Sequence, residues 1–297
     1  MAGPSNKRVA PPVSAAQQHR KKDQSDPSDW TDLSDRVVSL ALAAIVAESD
    51  EGKRAECLET FVAGISAAKI RSSLEALRRL PADDGSAQAI SGLLRRWITL
   101  DASAASLWVK RLPPGQLRDR SLSDVAIEWA NVDLASSSVW ARQLPNPAEH
   151  DSALLAIAAE ALRTDPTESL RLVFDLPSSP ERDSLLSQAA MEWASRDAPA
   201  ALAWARQITD DSLRQTLLAA ITTAWSDRDP ESAARVAALE IPEGRSQSDA
   251  VMGIIARWAQ DQPELAAEWA DQFAPGDLRQ SAFDAIDTLE KSKTEEP

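Results

Sequence analysis

Nine of the ten tryptophans stand on a ladder whose step is 32 residues. Trp97, Trp129, Trp193, Trp225 and Trp258 form one column, with Ala161 in its gap. Eleven residues further on run Trp108, Trp140, Leu172, Trp204, Val236 and Trp269. The step lengthens to 33 only into Trp258 and Trp269. A chain that repeats itself at this period is built from one small unit, which buries its apolar face only against neighbouring copies. The 297 residues are therefore expected to share one core that grows by stacking, in place of two ordinary globular cores.

The unit reads as a helical hairpin. In Gln116 to Pro145, Leu122, Val125, Ala126 and Trp129 follow the i, i+3, i+4, i+7 spacing of a helix with one buried stripe. Asp133 breaks the pattern, and Ala135 to Leu144 carries a second, shorter helix with Val139 and Trp140. The break recurs as Asp101, Asp133, Asp165, Asp197 and Asp229, then Gln262 beside Asp261. An aspartate there caps the free amides of the following helix, and its charge suits the helix dipole. Pro166, Pro230 and Pro263 come next, at the first helical position, where a missing N–H costs nothing. Each unit closes on Leu80-Pro81, Leu112-Pro113, Leu144-Pro145, Leu176-Pro177, Ile241-Pro242 or Ala274-Pro275, with Ile208-Thr209 as the exception. Proline disfavours helical geometry in the residue before it.

Counting back one step adds an earlier unit with Ile65 and Ala76 in the tryptophan columns. The expectation is an all-α chain of about seven 32-residue hairpins between Lys53 and Pro275, with single capping helices over about Leu33–Ser49 and Asp277–Lys291. That makes about sixteen helices and no sheet. Residues 33–291 are expected to form the repeat domain, flanked by a disordered polar tail at 1–32 and a disordered end at 292–297.

With this period, hairpin form and closing proline, the chain resembles the tetratricopeptide-like superfamily of α-solenoids. Its unit is shorter than the 34-residue tetratricopeptide unit, and it has no tyrosine where that family places a Gly-Tyr pair. A nearer likeness is to bacterial Trp-rich helical-repeat proteins with a Trp-Ala-x-x-Asp-Pro pattern. Here the pattern reads Trp193-Ala194-Ser195-Arg196-Asp197-Ala198-Pro199 and Trp225-Ser226-Asp227-Arg228-Asp229-Pro230. The resemblance implies a right-handed α-solenoid and brings no activity or site residues with it.

Charge narrows the partners. The chain carries a net charge of −14, yet its first 30 residues have five basic and three acidic side chains, so the remainder stands at −16. An acidic array repels phosphate backbones, so no nucleic acid is expected; a basic segment of a protein partner suits it better. No apolar run reaches the roughly 20 residues of a membrane span. The best, Val37 to Ala47, is preceded by Arg20-Lys21-Lys22, but Asp23, Asp26, Asp29, Asp32 and Asp35 interrupt any leader-like pattern. A cytoplasmic location follows as the expectation. Cys57 is the only cysteine, so no disulfide framework forms within one chain; beside Leu58, Phe61 and Val62 it reads as a buried, inert thiol.

Chemistry finds few parts. His19 lies in the tail, and His150 takes the helix-start position held in other units by Arg118, Arg182, Arg214 and Arg279. Histidine-based acid–base catalysis, Ser-His-Asp triads and multi-histidine zinc sites lack their residues. No Gly-rich phosphate loop is present; Gly115, Gly244 and Gly276 recur in inter-repeat turns. No catalytic residue, cofactor or metal is therefore expected. The tryptophan columns accept alanine, leucine, valine and isoleucine, so they read as core filling before a ligand groove. The column Arg118, Arg182, Arg214 and Arg279 opposes the dipole of its own helices, and offers either a positive strip for a partner or ion pairs with Glu181, Asp211 and Asp277. These four arginines are the candidate partner contacts. The expected function is a non-catalytic protein–protein interaction scaffold. Its alternatives are a carboxylate-lined groove acting on or binding carbohydrate, and a passive spacer.

Overall fold

The computed structural model describes residues 33–81 and 83–295. The tail at 1–32, with its basic cluster, His19 and Trp30, lies outside the described residues. Within them the chain is all-helical, without a strand. The helices are α1 (Asp35–Val46), α2 (Glu51–Gly64), α3 (Ala67–Leu77), α4 (Asp84–Lys110), α5 (Gln116–Val132), α6 (Leu134–Arg142) and α7 (Pro147–Ala161). They continue as α8 (Pro166–Val173), α9 (Pro180–Ala205), α10 (Asp211–Trp225), α11 (Pro230–Glu240), α12 (Arg245–Asp261), α13 (Pro263–Ala270) and α14 (Asp277–Glu295). The last helix runs past Lys291, so residues expected to be disordered continue it to Glu295. No described helix is long and apolar enough to cross a membrane.

The aspartate column sets the breaks. Asp101, Asp133, Asp165, Asp197 and Asp229 all leave helical geometry, with φ of −160°, −152°, −138°, −147° and −145° and ψ of 84°, 93°, 88°, 80° and 78°. Each turns its Oδ1 onto a backbone N–H three residues ahead, at 2.9 to 3.1 Å. Asp101 and Asp197 lie inside α4 and α9, so each of these is two helices meeting at a capped bend. Among the described residues the fourteen segments thus hold sixteen helical runs. Pro166, Pro230 and Pro263 open α8, α11 and α13. Gln262, in the aspartate column, makes no such cap; its Oε1 instead accepts from the Trp258 indole at 3.0 Å. In the earliest repeat the break falls at Ile65-Ser66, where no aspartate stands.

The inter-repeat turns use glycine where the backbone demands it. Gly115 and Gly244, just ahead of α5 and α12, adopt φ of 138° and 148°, a region that side chains with a Cβ avoid. Gly276, at the corresponding turn, needs no positive φ.

The described helices group into two compact units, one ending at Trp108 and one beginning at Val109. In the first, α1 packs on both α2 and α3. In the second, α5 packs on α6 and α7, α7 on α8 and α9, α9 on α10, α10 on α11 and α12, and α12 on α13 and α14. The shorter helices bridge forwards as well: α6 touches α7, α8 touches α9, α11 touches α12 and α13 touches α14.

The ladder tryptophans are core. Trp97, Trp108, Trp140, Trp258 and Trp269 are buried, and Trp129, Trp193, Trp204 and Trp225 are half-buried. Wherever both columns of a hairpin carry tryptophan, the two rings meet. Centroids stand 6.4 Å apart for Trp97–Trp108, 5.9 Å for Trp129–Trp140, and 6.0 Å for both Trp193–Trp204 and Trp258–Trp269, all tilted by 41 to 53°. That range suits the quadrupoles of two indoles and adds to their burial. Ala161 and Leu172 are buried in the same positions, so the column asks for apolar volume.

Cys57 corrects an expectation: it is exposed. The buried stripe of α2 runs through Leu58, Phe61 and, at its end, Ile65. Cys57 precedes that stripe by one residue, about 100° around the helix, which turns it outward.

Candidate functional site

The arginine column is organised around backbone carbonyls. Arg118, in the first turn of α5, sends Nη1 back to the carbonyls of Lys110, the last residue of α4, at 2.7 Å and of Leu112, just beyond it, at 2.9 Å. Arg214 Nη1 reaches the Ile208 carbonyl at 2.8 Å. Arg182 Nη2 reaches Phe174 at 2.5 Å and Nε reaches Val173 at 3.3 Å. The last carbonyls of a helix have no amide partner within it, and the prolines that follow Leu112 and Leu176 have no N–H to offer. A guanidinium supplies those donors, and its charge sits well at the negative end of that earlier helix. The column opposes the dipole of its own helix because it serves the helix before.

Register extends the device to residues not singled out above. One step from Ser86 stands Arg54, whose Nη1 donates to the Glu48 carbonyl at 2.9 Å, in the turn after α1. Ser86 itself places its Oγ 3.0 Å from the Pro81 carbonyl. Gln247 donates Nε2 to the Ile241 carbonyl at 2.9 Å. In Arg54, Arg118, Arg214 and Gln247 the acceptor lies six residues back in every case. The 32-residue step alone would have found Arg54 and Gln247.

Two positions in the column depart from it. Arg279 pairs with Asp271 and lies over the Phe283 ring at 5.8 Å. His150 faces Asp151, Nδ1 to Oδ1 at 2.7 Å, with both side chains partly exposed. Of the predicted ion pairs, Arg214–Asp211 forms. Arg182 takes Asp183 in place of Glu181, at 2.9 Å, and Arg279 takes Asp271 in place of Asp277. Arg118 alone finds a carboxylate one repeat away, Glu149 on α7. This hydrogen-bonded contact holds Glu149 below the usual carboxylate range against the opposing effect of burial, and raises Arg118. Arg118 and Arg182 are largely buried, with side chains 11% exposed, whereas Arg214 and Arg279 are about one-third exposed.

The outward positions beside the aspartate caps vary from repeat to repeat. In the first unit Leu100 and Leu107 flank Asp101, and both are exposed. In the second, Val132 and Val139 flank Asp133 and are 59% and 54% exposed. At the equivalent exposed positions of later repeats stand Thr164 and Arg171, Arg196 and Ala203, and Arg228 and Arg235. Among the described residues no three His, Cys, Asp or Glu side chains converge as metal ligands. A second surface feature, a groove between α1 and α3, is lined by Arg36, Ser39, Arg71, Ser72 and Arg79.

Comparison with protein families, with curated proteins and with solved structures finds no match for this chain.

Proposed function

We propose that the hairpins stack as a right-handed α-solenoid of the tetratricopeptide-like kind, seven hairpins between two capping helices, and that it serves as a non-catalytic protein–protein interaction scaffold. The ladder of packing from each long helix to the next, α5 to α7 to α9 and α10 to α12 to α14, supports the stacking. The handedness rests on the family resemblance. The stacked form gives a repeated outer surface on which one position can vary without disturbing the core.

One observation carries the scaffold reading: the positions flanking the caps are uneven. A passive spacer has no use for Val132 and Val139 in water, where the preceding repeat holds Leu100 and Leu107 but later repeats hold threonine, alanine and arginine. Two exposed valines on either side of one cap form a small apolar anchor of the kind that partners cover. A carbohydrate site, by contrast, calls for exposed tryptophan, and none of the nine ladder tryptophans is exposed.

Affinity capture from the source cell tests this, with wild-type chain compared against V132D/V139D. The scaffold reading expects a specific set of proteins on the wild type that the variant loses. Identical sets on both, or none on either, sinks the assignment of this anchor.

A further inference from the structure

The groove between α1 and α3 has a charge opposite to that of the molecule. Helix α1 and residues 67–80, which contain α3, carry Arg36, Lys69, Arg71, Arg78 and Arg79 against Asp35 and Glu75, in a chain whose net charge is −14. Both of those acids are already engaged. Asp35 pairs with Lys69 at 2.7 Å. Glu75 accepts from the Trp108 indole at 2.8 Å and pairs with Arg78 at 3.1 Å. Arg36, Arg71 and Arg79 have no hydrogen-bond or ion-pair partner among the described residues, and all three line the groove. Beside them Leu40 stands 63% exposed at the groove's edge, with Ala76 and Leu77 along its floor. Three guanidinium groups without a partner among the described residues, beside the apolar stretch of Leu40, Ala76 and Leu77, make a site for an anionic segment that also carries a large apolar side chain.

We propose that the occupant is the chain's own segment from Asp23 to Asp32. It reads Asp-Gln-Ser-Asp-Pro-Ser-Asp-Trp-Thr-Asp, with four carboxylates, no basic residue, and Trp30 as the apolar side chain. Its sequence ends one residue before Leu33, and α1 begins at Asp35, the end of α1 that lines the groove beside Ala68. The trough follows α3 from Ala68 to Leu77, on the order of 14 Å at the rise of a helix, and continues to Leu80 in the turn beyond it. Ten extended residues span up to about 35 Å, so the segment reaches every arginine in it. Tethering raises its effective concentration towards the millimolar range, which lets individually weak exposed ion pairs act together. The groove is then occupied in cis.

The test uses the full chain and a fluorescently labelled peptide of residues 23–32, followed by anisotropy at low salt. If the segment occupies the groove in cis, the peptide binds D23N/D26N/D29N/D32N about tenfold more tightly than wild type, because the tethered competitor has been disarmed. Adding R36Q/R71Q/R79Q to that variant abolishes the gain, with circular dichroism confirming that the helices persist. Equal binding to wild type and the asparagine variant overturns the proposal and leaves an open groove for a separate acidic protein. Binding to neither also overturns it. The scaffold reading is judged separately, by the capture experiment on Val132 and Val139.

Discussion

Arg118 and Glu149 meet through two parallel hydrogen bonds, Nε to Oε1 at 2.6 Å and Nη2 to Oε2 at 2.8 Å, with each side chain only 11% exposed. The remaining guanidinium nitrogen holds the carbonyls of Lys110 and Leu112. One side chain therefore joins three pieces of the second unit: the turn before α5, α5 itself, and α7 in the next repeat. Fixing both ends of a planar guanidinium also fixes the angle at which α7 lies on α5.

Removing one partner of such a pair leaves the other charge buried and unpaired. Arg118→Ala should cost about 3 kcal/mol, since it also orphans two carbonyls. Glu149→Gln keeps an acceptor for the guanidinium and should cost less, about 1–2 kcal/mol. Arg245, 95% exposed and 3.7 Å from Asp249, is the control; its replacement by alanine should stay within about 0.5 kcal/mol. Urea denaturation followed by circular dichroism ranks the three. If Arg118→Ala moves the midpoint no further than Arg245→Ala, the clasp contributes nothing.

Acid should loosen the repeats for a stated reason. Glu149 is held below its ordinary value near 4.5, first by the hydrogen bond from Arg118. Asp165 and Asp229 are held below theirs, near 3.8, by hydrogen bonds led by the Thr167 and Ser232 side chains respectively. In each case the unfolded chain binds the proton more tightly than the folded one. The stabilisation is therefore complete above the unfolded values and is lost as pH falls through the folded ones. The urea midpoint should decline steadily below about pH 5, and Glu149→Gln should make that decline shallower. A variant with the wild-type slope would assign the acid sensitivity elsewhere.

The parts of the fold that were legible in the sequence are those whose cause is local and repeated. Asp133 caps because the amides it serves are three residues away, and Pro166 opens a helix because of its own missing N–H. The arginine column was visible as a column, yet its role was not, because its acceptors are main-chain carbonyls and carry no letter of their own. Cys57 shows the other limit. Its apolar neighbours suggest burial, but one helical step separates it from the stripe of Leu58 and Phe61. The groove beside Arg71 was equally hidden, since its charge depends on Lys69 and Arg78 having already consumed the nearby acids.

The tryptophans should report a closed interior. With five ladder indoles buried and four half-buried, emission should be blue-shifted and mostly protected from a polar quencher. Trp30 is the one tryptophan outside the ladder. Within the ladder, Trp140 is buried with no partner for its Nε1 among the described residues, whereas the Trp258 Nε1 donates to Gln262 at 3.0 Å. Replacing Trp258 by phenylalanine should therefore cost about 1 kcal/mol more than the same change at Trp140, since only the first breaks a hydrogen bond. Thermal denaturation of the two variants decides it. The reverse order would mean that ring packing outweighs the indole bond.

Helix α12 approaches α10 more closely at one point than side chains normally permit. A Cβ placed on Gly253 would lie 2.6 Å from Thr223 Cγ2 and 2.8 Å from its Oγ1. In an isolated helix, Gly→Ala gains up to about 1 kcal/mol from propensity. Here the clash should reverse that sign, because Thr223 is β-branched and its own Cβ would stand only 3.3 Å away. Gly253→Ala is expected to destabilise by about 1–3 kcal/mol, within the usual cost of overpacking. Thr223→Ala in the same chain should restore most of the loss by clearing both offending atoms. Melting curves of the single and double variants measure the coupling. A stabilised single variant would mean that α10 and α12 part to admit the methyl group at no cost, and the close approach at Gly253 would then hold nothing in place.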